Sequence, residues 1–224
     1  MNPCLAANPP RMDTEERHAI EPEKVREFIN ELGTGFDNDC AYLLAVCMGM
    51  HRGEACGLSW GDVDFNAMTI HVRHSVDIEN NLKGTKTKAG DRILPMPAFV
   101  ADALRKLRAN QEERFDKLNR DRKNACHYKG DPIEITDQSP VIANISGRRL
   151  PPTTLSKWWK DERVTFHELR HTFLTMLAIE GVHPKVMQEL AGHSDPQTAM
   201  QVYTHVNLDA KRQAIDTLSR AFSA

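Results

Sequence analysis

The chain has 224 residues, of which 40% are hydrophobic and 6% aromatic, with a formal net charge of −2. That length suits one large domain or two small ones, and the apolar share is enough for a real core. No run of about eighteen apolar residues occurs, which excludes a helical membrane span, and no cationic stretch followed by an apolar one opens the chain, so no secretory leader is visible and a cytoplasmic protein is expected.

Cys4, Cys40, Cys47, Cys56 and Cys126 contain no C-x-x-C pair, and their odd number in largely apolar context is expected of reduced, structural thiols. The charge is unevenly spread. Residues 1–66 hold five Lys/Arg against twelve Asp/Glu, and the remainder holds 24 against 19. Contact with phosphate requires local positive potential rather than a basic average. Basic residues recur in the second part, among them Lys83, Lys86, Lys88, Arg92, Arg105, Arg148, Arg149 and Lys157, and most are expected to be ordinary surface.

In chain order, residues 1–20 are polar, contain Pro3, Pro9 and Pro10, and read as a linker or tail. Val25, Phe28, Ile29 and Leu32 then recur at helical spacing from Glu21 to Leu32, with Pro22 in the first turn and Gly33 at the end. A buried helix is expected over Cys40–Met48, followed by the Gly-punctuated stretch GMHRGEACGLSWGDVDF at 49–65. The segment MTIHVRHSVD alternates and is β-branched enough for a strand. NNLKGTKTKAGDRILPM follows as a turn, a second polar strand and a third strand at Arg92–Pro95. Pro97 to about Asn124 is a long helix with a charged far end, and residues 125–140 an irregular loop. PVIANISGRRLPPTTLSKWWKD reads as a short strand, a turn at Gly147 and a helix capped by Thr153 or Thr154. Trp158 and Trp159 fit packing better than base stacking. A last amphipathic helix runs from Leu208 to Phe222 on Ile215, Leu218 and Phe222. The pattern implies a mainly α fold with a small antiparallel β-sheet of about three strands (α+β).

The richest stretch is Thr165–His205, TFHELRHTFLTMLAIEGVHPKVMQELAGHSDPQTAMQVYTH. Leu169, Phe173, Met176 and Leu177 share one helical arc that seeks a core, while His167, Arg170 and His171 lie on a neighbouring arc that can face an anion. HELRH also reads as H-E-x-x-H, a zinc-hydrolase signature with His167 and His171 as ligands and Glu168 as base. Leu174 and Leu177 stand where one such family continues with Gly and His. No third ligand follows in a required pattern, and Arg170 would set a fixed cation beside the metal.

HELRH, then AGHS, then YTH resembles the C-terminal motif set of the tyrosine recombinases, the phage-integrase family, and the three motifs stand in order with the family's spacing. The stretch 49–65 resembles the family's first box through Gly49, Gly53, Glu54, Leu58, Trp60 and Asp62. Those anchors put the first catalytic arginine at position 51, which is His51 here, with Arg52 one residue late. Adjacent helical residues point about 100° apart, so Arg52 is no automatic replacement.

What the resemblance implies is site-specific DNA recombination through a covalent intermediate. Tyr203 would attack a scissile phosphate and become a 3′-phosphotyrosine. Arg170 and position 51 would clamp the non-bridging oxygens, and His167 and His193 would donate hydrogen bonds or shuttle the phenolic proton. Lys86, in the hairpin TKTKAGDRILP, would protonate the departing 5′ oxygen, with Lys88 the near alternative. Glu54 would orient its neighbours. No cofactor or metal is called for, since arginines supply the charge. The resemblance implies double-stranded DNA as partner and a tetramer on it, assembled through the C-terminal segment. Residues 21–224 would be the catalytic domain, with the family's preceding core-binding domain absent. Because histidine is a weaker oxygen clamp than arginine, a DNA-binding relative with impaired cleavage is the alternative.

Overall fold

The structure is a computed structural model that describes residues 20–32, 36–85, 90–124, 131–157 and 165–192. Residues 1–19 of the expected N-terminal tail, Gly33, Lys86, Lys88, Trp158, Trp159, His193, Tyr203 and the helix from Leu208 lie outside those residues.

Helix α1 (Pro22–Glu31) starts on its proline, where a missing N–H costs nothing, and turns Val25 into the core. Helix α2 (Asp37–Met48) begins three residues before the expected Cys40. Asp37 and Asp39 occupy its first turn, where the helix dipole favours carboxylates. Asp37 is also held: its carboxylate accepts from Gln111 Nε2 at 2.6 Å, Ala143 N at 2.8 Å and Arg114 Nη1 at 2.9 Å. Residues 40–46 of α2 are all buried, so this helix is apolar all round and forms the axis of the core. It ends at Gly49, whose φ of 64° is a left-handed cap.

After the short helix α3 (Arg52–Gly57) and a 3-10 turn at Trp60–Asp62, the chain enters its strands. β1 (Val63–Asp64), β2 (Thr69–Val72) and β5 (Arg92–Pro95) form an antiparallel sheet in the order β1-β2-β5, while β3 (His74–Val76) pairs with β4 (Leu82–Gly84) in a separate two-stranded ladder. This corrects the single strand expected over residues 68–77. Arg73 breaks it: its Nε lies 2.5 Å from the buried Asp62 carboxylate, and the strand changes partner from β5 to β4 on either side of it.

Helix α4 (Ala98–Asn124) buries Val100, Leu104, Leu107 and Phe115 along one face. Gln111, fully buried on that face, bonds the Trp60 indole at 3.1 Å. The strand expected near residue 140 is reduced to two isolated bridges, Ser59 with Pro140 and Ala143 with Arg149, the latter closed by the Gly147 turn at φ 75°. Helix α5 (Pro152–Lys157) starts at its proline, so Thr153 and Thr154 lie inside it instead of capping it. Helix α6 (Phe166–Ile179) packs on α2, and α7 (Pro184–Ala191) returns against α6 and β5, ending at Gly192 with φ 66°. Cys40, Cys47 and Cys56 are free thiols. No helix among the described residues is long and apolar enough to cross a membrane.

Candidate active site

Three chain segments converge here: the junction of α2 and α3, the start of β5, and the facing parts of α6 and α7. Arg170 is the central piece. The residue is 2% exposed, and its Nη1 donates to the Gly49 carbonyl while Nη2 donates to the Ala191 carbonyl at 2.5 Å. The expected outward arc of His167, Arg170 and His171 is thereby corrected. The buried face of α6 runs through Phe166, Leu169, Arg170, Thr172, Leu174 and Ala178, whereas Phe173, Met176 and Leu177 are only half-buried and His167 is exposed. Arg170 falls one turn from both Phe166 and Leu174, inside the apolar stripe. A guanidinium survives there because carbonyl oxygens replace lost water. Burial pulls its pKa down to about 10, with Glu54 pushing it back up and Arg92 adding to the fall.

Those last two residues complete the cluster. Glu54 and Arg92 form a buried two-pronged ion pair, Nη1 to Oε1 and Nη2 to Oε2, both 2.9 Å. Arg92 also donates through Nε to the Leu190 carbonyl at 2.9 Å and through Nη1 to Gly90 O at 3.3 Å. The Glu54 Oε2 accepts His51 N at 2.8 Å, closing a capping box at the start of α3. Burial pushes the Glu54 carboxyl up, yet the Arg92 bonds and charge, together with His51, hold it below the usual carboxylate value. Two carbonyls at the end of α7, Leu190 and Ala191, are thus each capped by a buried arginine, immediately before Gly192 and His193 in the chain.

The two candidates at the first box part company. His51 is exposed and its charge acts on Glu54, within the cluster. Arg52 acts instead on Tyr42 and Cys56. Burial drives the Tyr42 phenol and the Cys56 thiol up to about 12 each, and Arg52 opposes both rises. His51 is the extended N-cap residue, at φ −70° and ψ 154°, and Arg52 is the first residue of α3, so the change of backbone conformation between them, in place of the expected 100° helical step, separates the two side chains.

Of the residues singled out in the sequence, the described structure therefore brings Arg170 and His51 into one neighbourhood and keeps His167 on the same helix as Arg170. Lys86, His193 and Tyr203 lie outside it. Arg92 was missed. The signal was available in RILP: strand alternation phased on the core residue Leu94 puts Arg92 inward and leaves Ile93 63% exposed. The H-E-x-x-H reading loses its base. Glu168 is engaged in a capping box, accepting Thr165 N at 2.5 Å while Thr165 Oγ1 accepts Glu168 N, and no group of three metal-ligating side chains occurs among the described residues.

Residues 18–209 match the phage integrase family, and the chain belongs to it. It is 28% identical over 246 residues to a tyrosine recombinase XerC-like protein of Caldanaerobacter subterraneus subsp. tengcongensis, covering 99% of this chain and 60% of that protein. It is 29% identical to tyrosine recombinase XerA of Thermococcus onnurineus, covering 92% of this chain and 64% of that one. The chain thus spans less than two thirds of these relatives' length. Among solved structures, the Tn1549 transposon integrase in complex with transposon right end DNA superposes with a TM-score of 0.65 at 24% identity, over 92% of this chain and 68% of that one. The XerA recombinase crystal structure gives 0.60 at 21% identity, over 94% and 66%. These two likenesses establish the fold.

Proposed function

We propose that this chain is the catalytic domain of a site-specific DNA recombinase that cuts and rejoins strands through Tyr203. The carrying observation is the convergence of Arg170, His51 and the end of α7, which leads directly to His193 and, ten residues on, to Tyr203. The Tyr203 oxygen forms a bond to the scissile phosphorus as the bond to the 5′ oxygen breaks. The phenolic proton passes to a histidine, His167 or His193, and Lys86 protonates the leaving 5′ oxygen. Charge on the non-bridging oxygens meets Arg170 and position 51. Arginine has five N–H donors, and the carbonyls of Gly49 and Ala191 occupy two of them, which fixes the guanidinium while leaving donors for an oxyanion. The phosphotyrosine conserves the bond energy, so attack by a second 5′ hydroxyl reverses the step. The reading includes double-stranded DNA as partner, a tetramer assembled on it through the C-terminal segment, and action in the cytoplasm. It takes residues 21–224 as the catalytic unit.

A nicked suicide substrate tests this. Cleavage next to the nick releases a short 5′-hydroxyl fragment and traps the covalent adduct. The expected result is an adduct with the parent and none with Tyr203→Phe, which still binds DNA. Binding without adduct by the parent favours the second reading, a relative whose cleavage is impaired by His51.

A further inference from the structure

We propose that Arg92 is a positioning residue for strand cleavage: it ties the start of β5 and the carboxylate behind His51 to the final turn of α7, and so sets the point from which His193 departs. This rests on the proposed recombinase function.

The geometry is specific to an arginine. One planar guanidinium meets three chain segments at once: Glu54 of α3 through both Nη atoms at 2.9 Å, the Leu190 carbonyl of α7 through Nε at 2.9 Å, and Gly90 at the head of its own strand at 3.3 Å. A lysine ammonium has no fixed fork and cannot hold that planar set. The Arg92 side chain is 7% exposed and that of Glu54 9%, so solvent cannot replace these bonds. The α7 end is set by a pair: Arg92 takes Leu190 and Arg170 takes Ala191, while Glu54 lies close enough to offset the charge of Arg170. Removing Arg92 therefore frees a helix end that Arg170 also holds, and moves both the residue before His193 and the clamp itself. Displacement of reacting groups by about 1 Å costs up to about 10²-fold in rate.

The test uses Arg92→Met, Arg92→Lys and the double variant Arg92→Met/Glu54→Gln, which removes both buried charges together. Each is assayed well below its melting temperature, with nicked DNA at saturation for the adduct rate, titrated DNA for affinity, and amide hydrogen exchange across 184–192. The expected result for Arg92→Met is an adduct rate about 10- to 100-fold lower with DNA affinity within about threefold of the parent, and faster exchange at the end of α7. Arg92→Lys keeps the charge but not the fork, and stays slow. The double variant melts higher than Arg92→Met yet stays slow, because the Leu190 carbonyl is still released. Recovery of rate together with melting temperature in the double variant overturns the proposal, leaving Arg92 as no more than a counter-charge. So does an unchanged saturated rate in Arg92→Met. If the parent itself makes no Tyr203-dependent adduct, the recombinase reading fails instead. The clamp is then judged on exchange alone, and unchanged exchange at 187–192 in Arg92→Met refutes it.

Discussion

Replacing Gly49 by alanine strikes the site through its backbone. Gly49 sits at φ 64°, a conformation that costs an L-residue about 1–2 kcal/mol. A Cβ there would lie 2.4 Å from Cδ1 and 2.6 Å from Cε1 of Phe173. Real Cβ contacts do not approach that closely, so the ring must rotate or α6 must shift, an overpacking cost of about 1–3 kcal/mol. The sum is about 2–5 kcal/mol, which for a chain of this size lowers the melting temperature by roughly 5–15 °C. The same shift disturbs the Gly49 carbonyl that receives Arg170, so the adduct rate falls as well. A double-mutant cycle with Phe173→Ala separates the parts: the steric share disappears without the ring, while the left-handed strain stays, giving a coupling of about 1–3 kcal/mol. Urea unfolding of the four proteins measures it. A Gly49→Ala protein as stable as the parent, or an equal cost with and without the Phe173 ring, refutes the reasoning.

Three further outcomes follow from the same structure. Asp37→Ala leaves the Ala143 N–H and the Arg114 guanidinium without their carboxylate and takes one of two acceptors from Gln111 Nε2, which keeps the Val141 carbonyl, and unfolding in urea should show a loss of about 1–3 kcal/mol, a loss under 1 kcal/mol ruling the network out as a main support. Glu54 titrates below its usual value of 4.5, so its contribution is present above that value and is lost as the pH falls through the lowered one. Urea melts across that acid range should therefore show a steeper decline in the parent than in Glu54→Gln, and equal slopes would contradict the assignment. His51→Arg puts a permanent two-pronged cation where a single-point donor stands and should raise the adduct rate about tenfold or more, whereas Arg52→Ala should leave it near the parent value. Loss of cleavage in Arg52→Ala with no gain in His51→Arg would show that Arg52, and not His51, occupies the clamp.

Local pattern alone determined much of this protein. The helical spacing in α1 and α6, the helix-forming composition of α4, the proline that opens α1, and the ordered motifs from His167 to Tyr203 were legible because each depends on residues close in the chain. Family membership was legible for the same reason. The division of residues 68–77 between two ladders was not, because it turns on Arg73 meeting Asp62 across the fold. Nor was the depth of Arg170. Helical spacing offers two arcs for that position, and only packing against α2 and α7, with Gly49 and Ala191 presenting carbonyls to it, decides which arc is inside. Arg92 and Glu54, 38 residues apart in sequence, meet for a reason no window of sequence contains: buried charges are tolerable only where the whole fold delivers a partner, and that partner is chosen by topology.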